Sequence, residues 1–467
     1  TEPSRNISFM TIHRLLKFKR HIDNQGNILY LSSLDKDGWE MQKNTKSIYS
    51  YDIIIIDESS MISASMISNI LSVVKHIKGK IILLGDKSQL PPINEEMSKV
   101  FNINIPKSEL TEIMRNKGSI TDFANKIRLI IDDKTIKVRI KDYVNSNFII
   151  SKEYEKFYNN YITNFKDNDK PIMLTYTNKQ CQNHNNMVRK LLFNTEDKYV
   201  EGDLIVFNSY YSKNDNSFYT SQQDIIQKIN TCYIQNDVLN FNELINLKNT
   251  KVEVSIKSAS GTEIMCPICY EESVDFTVQT NCNHYFCSSC INLWLTKNKE
   301  CPMCRMSLHN STKDIVIKDD PKLTKMLINI RDSTKDKRLK CYKLTLSEGK
   351  DIIVIHEDDE FNHKKLIEYI HGELMQIKKH IEKEYNNNFS KILLNRLWEY
   401  FYQNFYDKFA NISYGYCITV HKSQGSTFKS VFIDMKDIIN KNYQYKAKYQ
   451  CLYTAITRAS ESLFIVL

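Results

Sequence analysis

Two places in the 467-residue chain gather side chains that could do chemistry. In YDIIIIDESSM, residues 51 to 61, a β-branched apolar run stops at the adjacent carboxylates Asp57 and Glu58. Side chains leaving the carboxyl end of a strand stand where open α/β sheets bind ligands. There Asp57 could hold Mg²⁺, and Glu58 could orient and deprotonate a water that attacks a phosphate. A second run, KIILLGDKSQLPPI, ends in the same way. Gly85 permits tight backbone, Asp86 adds a further carboxylate at a strand end, Gln89 offers an amide to a phosphate, and Pro91 and Pro92 stiffen the exit. Arg115 in LTEIMRN and Arg458 in LYTAITRAS supply guanidiniums suited to charge on a transferring phosphoryl group. Taken singly, each is an ordinary strand end or surface residue.

The other place is CPICYEESVDFTVQTNCNHYFCSSCINLWLTKNKECPMCR, residues 266 to 305. Its ligands are spaced C-x2-C-x12-C-x-H-x2-C-x2-C-x10-C-x2-C, through Cys266, Cys269, Cys282, His284, Cys287, Cys290, Cys301 and Cys304. Eight such ligands make two tetrahedral N/S sites, the closed coordination of structural zinc, so two Zn²⁺ are expected. A segment this short has little apolar core, and the metals would supply most of its folding energy. Cys181, Cys232, Cys341, Cys417 and Cys451 are scattered without framework spacing, which fits a reducing, intracellular setting.

The elements that must position these groups follow from pattern. The runs at 51–56 and 80–84 flank the helical stretch MISASMISNILSVVKHI, a βαβ unit that requires a parallel sheet. A second such region begins at KPIMLTYTN, 170 to 178, breaks into a polar stretch from about 209, and resumes near 412. Asn-Gln-Gly-Asn around Gly26 predicts a β-hairpin near 20–33. Leu366, Ile370, Leu374, Ile377 and Ile381, then Leu394, Trp398, Phe401, Phe405 and Phe409, recur at helical spacing and read as core rather than as base-stacking surface. The absence of any run of about 18 apolar residues argues against a membrane partner. No charged-then-apolar leader follows Thr1, so no secretory signal is expected. A net charge of +9 favours polyanions but is spread over the whole chain.

TIHRLL, YDIIIIDESSM, GDKSQLPP, LTEIMRN, LTYTNKQCQNHNN, ITVHKSQGSTFKSVFID and LYTAITRA stand in the order found in superfamily 1 helicases of the RecD-like, Dda-like branch, which the chain resembles outside its cysteine cluster. The resemblance implies two RecA-like domains clamping ATP and Mg²⁺, and 5′-to-3′ movement along single-stranded nucleic acid, DNA in the first instance. It places Asp57 and Glu58 in motif II, Gln89 in motif III, Arg115 in motif IV, Gly425 in the motif V loop and Arg458 in motif VI. Thr11 and His13 of the first domain, and Thr175, Asn178, Thr419 and His421 of the second, would contact the strand's phosphates without reading bases. One departure stands against these agreements. The phosphate loop G-x-x-x-x-G-K-[ST] occurs nowhere in the sequence. Either the chain is truncated at its amino end, the preferred expectation, or it is a relative that does not hydrolyse ATP.

With His fourth in ligand order, the cysteine segment resembles a RING finger rather than a PHD finger. The RING cross-brace would put Cys266, Cys269, Cys287 and Cys290 on one zinc and Cys282, His284, Cys301 and Cys304 on the other. In RING ubiquitin ligases, positions matching Ile268, Trp294 and Pro302 form the groove for a ubiquitin-conjugating enzyme, and an Arg at the position of Arg305 bridges that enzyme to ubiquitin. Alternatives left open are a zinc module used only for docking and a non-catalytic, nucleic-acid-tethered ligase.

The expected architecture is α/β: two RecA-like parallel-sheet domains with a small SH3-like β-subdomain and an inserted two-zinc RING finger. Its layout is 1–142 for the first RecA-like domain, 143–208 for the start of the second, 209–262 for a polar SH3-like or insertion region, 263–308 for the RING finger, 309–360 for the return of that region and 361–467 for the remainder with motifs V and VI. The bias toward Ile, Asn, Lys and Tyr reads as AT-rich coding. Together with a ubiquitin-system module it points to a protist or a large virus of eukaryotes, hence to the nucleus, or to the cytoplasm for such a virus.

Overall fold

In the computed structural model the described residues are 7–16, 18–22, 28–32, 51–74, 79–92, 94–110, 118–167, 170–213, 216–235, 264–265, 272–273, 277–279, 285–287, 290–291, 294, 300–305, 320–334, 337–384, 387–441 and 444–467. They fall into two compact units, one of 1–234, 338–365 and 391–467, the other of 235–337 and 366–390.

The first unit opens with the expected hairpin, strands Phe18–Ile22 and Ile28–Ser32 pairing antiparallel from Phe18↔Ser32 to Ile22↔Ile28. Its turn at Gly26 lies outside the described residues. The βαβ unit follows: Ile53–Ile56 and Lys80–Leu83 run parallel, joined through helix Ala64–Val74. Alternation along the strand buries Ile54 and Ile56 against Leu16, Ile67, Ile70 and Val100.

A second, five-stranded parallel sheet has the order Cys417–Thr419, Ile172–Thr175, Phe428–Asp434, Ala459–Val466, Phe148–Ser151. Its residues alternate between two cores. Ile172, Leu174, Val431 and Ile433 join one, and Met173 and Phe432 the other. Helix Ser119–Asp132 packs its Ile120, Phe123, Ile127 and Ile131 into the first of these. That differs from the expectation that residues up to 142 belong with the first sheet. The amphipathic period of the helix is clear in sequence, but a period does not name the sheet it will cover.

A further five-stranded sheet stands where a small β-subdomain was expected. Its order is Asp351–Ile355, Arg338–Leu346, Gln223–Gln235, Leu204–Phe207, Ile412–Tyr414, with antiparallel pairs such as Cys341↔Ile355 and Ile412↔Phe207. Phe207, Phe218, Leu344 and Ile352 fill its core. Helix Asn387–Phe401 leads into a π-helical turn, Tyr402–Tyr406; Leu394, Trp398, Phe401 and Phe405 are buried, as the stripe predicts, while its last member, Phe409, is half-buried.

In the second unit, helix Pro321–Thr334 buries Leu323, Leu327 and Ile330, and the stretch 366–384 of helix Glu357–Glu384 buries Leu366, Ile370, Leu374, Ile377 and Ile381. His380 Nε2 meets Asp320 Oδ2 at 2.7 Å between them. Residues 366–390 group with this unit. No helix among the described residues is long and apolar enough to cross a membrane.

Candidate nucleotide and nucleic-acid site

Asp57 leaves its strand exposed to solvent, and its Oδ1 accepts the Glu58 N–H at 2.8 Å. Glu58 has φ 51°, a left-handed conformation that costs a residue with a Cβ about 1–2 kcal/mol. This turns the chain into the short helix Ser59–Met61, where Ser59 N–H donates to Leu84 O at 2.7 Å. The Ser59 and Ser60 hydroxyls are buried there without a hydrogen-bond partner among the described residues. Gly85 lies against them: a Cβ at that position would stand 2.5 Å from Ser59 Oγ and 2.9 Å from Ser60 N. No other residue fits.

The loop after Gly85 is tied to helix Tyr445–Ile456. Asp86 accepts the Ser88 N–H on Oδ1 at 2.9 Å and the Tyr453 hydroxyl on Oδ2 at 2.7 Å. Burial, and then the Asp86 charge, push the Tyr453 phenol well up, so it remains a donor. Gln450 donates to Lys87 O at 3.2 Å, and Thr454 Oγ1 accepts the Leu90 N–H at 3.0 Å. Arg458 is 1% exposed. Its guanidinium donates to Thr454 O, Ser426 O, Thr457 Oγ1 and, at 3.4 Å, to Gln89 Oε1.

The turn 424–426 closes the arrangement. Gln424 donates to Leu90 O at 3.0 Å, and Ser426 O takes Arg458 at 3.1 Å. Gly425, with φ 77°, would place a Cβ 3.9 Å from Glu58 Cγ. Asp57, Glu58, Gly85, Asp86, Gln89, Gly425 and Arg458 are thus brought into one neighbourhood. Arg115 lies outside the described residues.

The residues expected to touch a strand are placed unevenly. His13 and Asn178 are exposed, Asn178 as the first residue of helix Asn178–Phe193. Thr11 caps helix Ile12–Leu15, accepting the Arg14 N–H. Thr175 is fully buried and its hydroxyl donates to Thr177 O at 3.4 Å, so it supports the loop rather than facing solvent. Thr419 is buried, and burial pulls the half-buried His421 below the ordinary imidazole range, keeping it neutral at pH 7. Lys422 donates to Asn208 Oδ1 at 2.8 Å. The Asp437 carboxylate, which sequence reading passed over, fixes the 176–178 loop by accepting the Tyr176 N–H, the Thr177 N–H and the Thr177 hydroxyl at 2.7–2.8 Å.

Of the cysteine module, Cys266, Cys269, Cys282, His284 and Ile268 lie outside the described residues. Cys287 ends a short strand, Tyr285–Cys287, paired with Thr277–Gln279. Phe286 and Ile291 are buried, as is Cys301, while Cys290 is half-buried and Cys304 exposed. Half-buried Trp294 donates its indole N–H to Glu300 O at 2.8 Å, which fixes the ring. Pro302 is half-buried, and Arg305 is exposed with φ 57°, its N–H donating to Cys301 O at 2.9 Å. The thiol and imidazole donor set suits zinc.

Residues 2–149 match the AAA domain family, 264–305 the Ring finger domain family and 414–466 the UvrD-like helicase C-terminal domain family. The chain joins helicase-type domains to a RING finger. An uncharacterized protein of Acanthamoeba polyphaga mimivirus is 27% identical over 481 residues, covering 98% of this chain and 82% of that one. Over the RING finger, E3 ubiquitin-protein ligase RNF8 of Bos taurus is 39% identical across 77 residues, 16% of this chain and 15% of that protein. Among solved structures, Bacteroides Pif1 bound to single-stranded DNA aligns with a TM-score of 0.38 at 11% identity, covering 98% of this chain and 78% of that one.

In the helicase-type part, Gln450, Tyr453 and Thr454, which hold the 87–90 loop and Asp86, are residues that sequence reading missed. Their spacing of three and four residues puts them on one helical face just before Arg458, the one signal that could have found them.

Proposed function

We propose that the protein works as an ATP-dependent 5′-to-3′ DNA helicase whose second RecA-like domain carries an SH3-like subdomain and a two-zinc, RING-type ubiquitin-ligase module. The motor reading rests on the meeting of Gln89 and Arg458 at 3.4 Å, joined through the 424–426 turn to Glu58. Bound ATP would supply the γ-phosphate, with ADP as the leaving group, and Mg²⁺ would offset the phosphate charge. Asp57 would hold the cation, Glu58 would take the proton of the attacking water, and Gln89 and Arg458 would face the charge that develops. Burial of Arg458 favours this, since a preformed cation in a water-poor site acts more strongly than one in bulk solvent.

No phosphate loop occurs in the 467 residues, so they alone are expected to show no strand-stimulated ATP hydrolysis. The chain joined to a segment that supplies the loop should hydrolyse ATP, and Glu58→Gln should lower its rate about 10²- to 10⁴-fold. Strong hydrolysis by the present chain would overturn the assignment of the site. The same missing loop favours a second reading, a nucleic-acid-tethered ubiquitin ligase whose helicase-type parts only bind.

Two Zn²⁺, held as the cross-brace pairs them, would fold the RING module, and Ile268, Trp294 and Pro302 would receive a ubiquitin-conjugating enzyme. With the activating enzyme, a compatible conjugating enzyme, ubiquitin and ATP, the chain should accelerate ubiquitin discharge. Trp294→Ala should weaken conjugating-enzyme binding, because it removes an apolar anchor. Arg305→Ala should leave that binding intact and slow discharge. Normal discharge by a zinc-loaded Arg305→Ala chain would favour docking over catalysis.

A further inference from the structure

Two tyrosines lie in contact on the open face of a hairpin, and neither the motor nor the RING reading gives them a task. Strands Tyr211–Lys213 and Asn216–Phe218 pair Tyr211↔Phe218 and Ser212↔Ser217. Alternation turns Tyr211 and Phe218 into the core, where Phe218 stacks on Phe207 with ring centroids 4.6 Å apart. It puts Tyr210, Ser212, Ser217 and Tyr219 on the other face. Tyr210 and Tyr219 are 58% and 55% exposed, with centroids 5.9 Å apart and planes inclined at 58°. The Tyr210 hydroxyl meets Ser217 Oγ at 3.0 Å, and Ser217 and then Ser212 draw its pKa down. A lone exposed aromatic needs no explanation. A ring pair with one hydroxyl tethered is different: it is a rigid apolar surface held ready in water.

Its surroundings say what it would meet. Asn208 lies two residues before Tyr210, at most about 7 Å along the chain. Its side chain accepts Lys422 at 2.8 Å and donates to Asn411 Oδ1 at 2.9 Å, and its N–H donates to Asn411 O. The hairpin is therefore anchored to the loop that carries Thr419, His421 and Lys422. A cation beside exposed aromatic faces is the combination that tracks a phosphate backbone while its bases stack.

We propose that Tyr210 and Tyr219 form a stacking platform for bases of a single-stranded nucleic acid whose backbone passes Lys422. Every base has a π face, so the platform tolerates any sequence, and the Ser212 and Ser217 hydroxyls can bond sugar or phosphate without reading bases. The inference rests on the nucleic-acid reading above and extends it to residues outside the helicase motifs.

The test is anisotropy with the 467-residue chain, a fluorescein-labelled oligothymidylate and its abasic counterpart at one fixed salt concentration. The double variant Tyr210→Ala, Tyr219→Ala should bind oligothymidylate about tenfold more weakly and the abasic strand as the parent does. The single variant Tyr219→Phe, which keeps both rings and the Tyr210 tether, should keep the parental affinity for both. Lys422→Gln should weaken both probes, since it removes a phosphate contact. If the parent binds and the double alanine variant binds oligothymidylate equally well, or loses both probes alike, the platform is overturned and the nucleic-acid reading stands. A parent that binds neither probe overturns both.

Discussion

The two parallel sheets of the first unit begin from similar strands and end in different states. Parallel sheets are as a rule covered on both faces. In the five-stranded sheet this holds: Ile172, Met173 and Leu174 are at most 1% exposed, and Val431, Phe432 and Ile433 are wholly buried. In the two-stranded sheet, one face is covered among the described residues. Ile54 and Ile56 are buried, while Ile53 and Ile55 are 59% and 61% exposed and Ile82 and Leu84 are 44% and 43% exposed. The loop leaving the sheet that carries Asp57 and Glu58, 86–90, is held by groups outside that sheet. Leu90 lies in the core of the other sheet, and Thr454, Tyr453, Gln450 and Gln424 hold the rest. The candidate site's 86–90 loop takes its ties from the five-stranded sheet's side of the unit.

The largest test of that contrast is in the filled sheet. Phe432 stacks on Phe464 at 4.1 Å and meets Phe157 and Tyr161 edge-on at 5.4 and 5.1 Å. Phe432→Ala should cost about 3–5 kcal/mol in denaturant unfolding, because it leaves a cavity that rigid neighbours cannot close. A loss under about 1 kcal/mol would mean that this face can collapse, and the contrast with the first sheet would fail.

A smaller effect is expected where the loop is held. Thr454→Val keeps the side-chain shape and removes the acceptor of the buried Leu90 N–H, so it should cost about 1–3 kcal/mol. The readout is amide hydrogen exchange, with protection expected to fall across 86–90 and to persist in strand Phe428–Asp434. Unchanged protection at Leu90 would mean that the two-stranded sheet holds its own loop.

What the sequence discloses follows the range of the interactions. Asp57 and Glu58 at the end of four isoleucines, Gly85 after the next strand, and the spaced Cys and His of the cysteine segment are all local patterns, legible without partners. The stripe from Leu394 to Phe409 was legible as core up to Phe405 because helical period fixes a face. The ties from 86–90 to 450–458 were not, since Asp86 and Tyr453 stand 367 residues apart and nothing in either segment names the other. The same holds for the third sheet, assembled from 204–235, 338–355 and 412–414, whose register is set between distant strands. Nor could IIII at 53–56 be told from IMLT at 172–175: both are apolar runs, and only the layer opposite decides whether alternate residues are buried.

That last ambiguity supports the smallest and most specific prediction. Ile54 and Ile55 are neighbours in one strand with the same side chain and similar backbone, so a single substitution made at each isolates the effect of the covering layer. Ile54→Val removes a methyl group from a packed core and should cost about 0.5–1.5 kcal/mol. Ile55→Val removes it from a side chain that is 61% exposed and should cost less than about 0.5 kcal/mol. Valine is β-branched like isoleucine, so strand preference is nearly constant and does not confuse the comparison. Denaturant midpoints measured at equal m-values would separate the two. Equal costs would show that the Ile53, Ile55, Ile82 and Leu84 face is covered in solution, and the two sheets would then differ in what covers them rather than in whether they are covered.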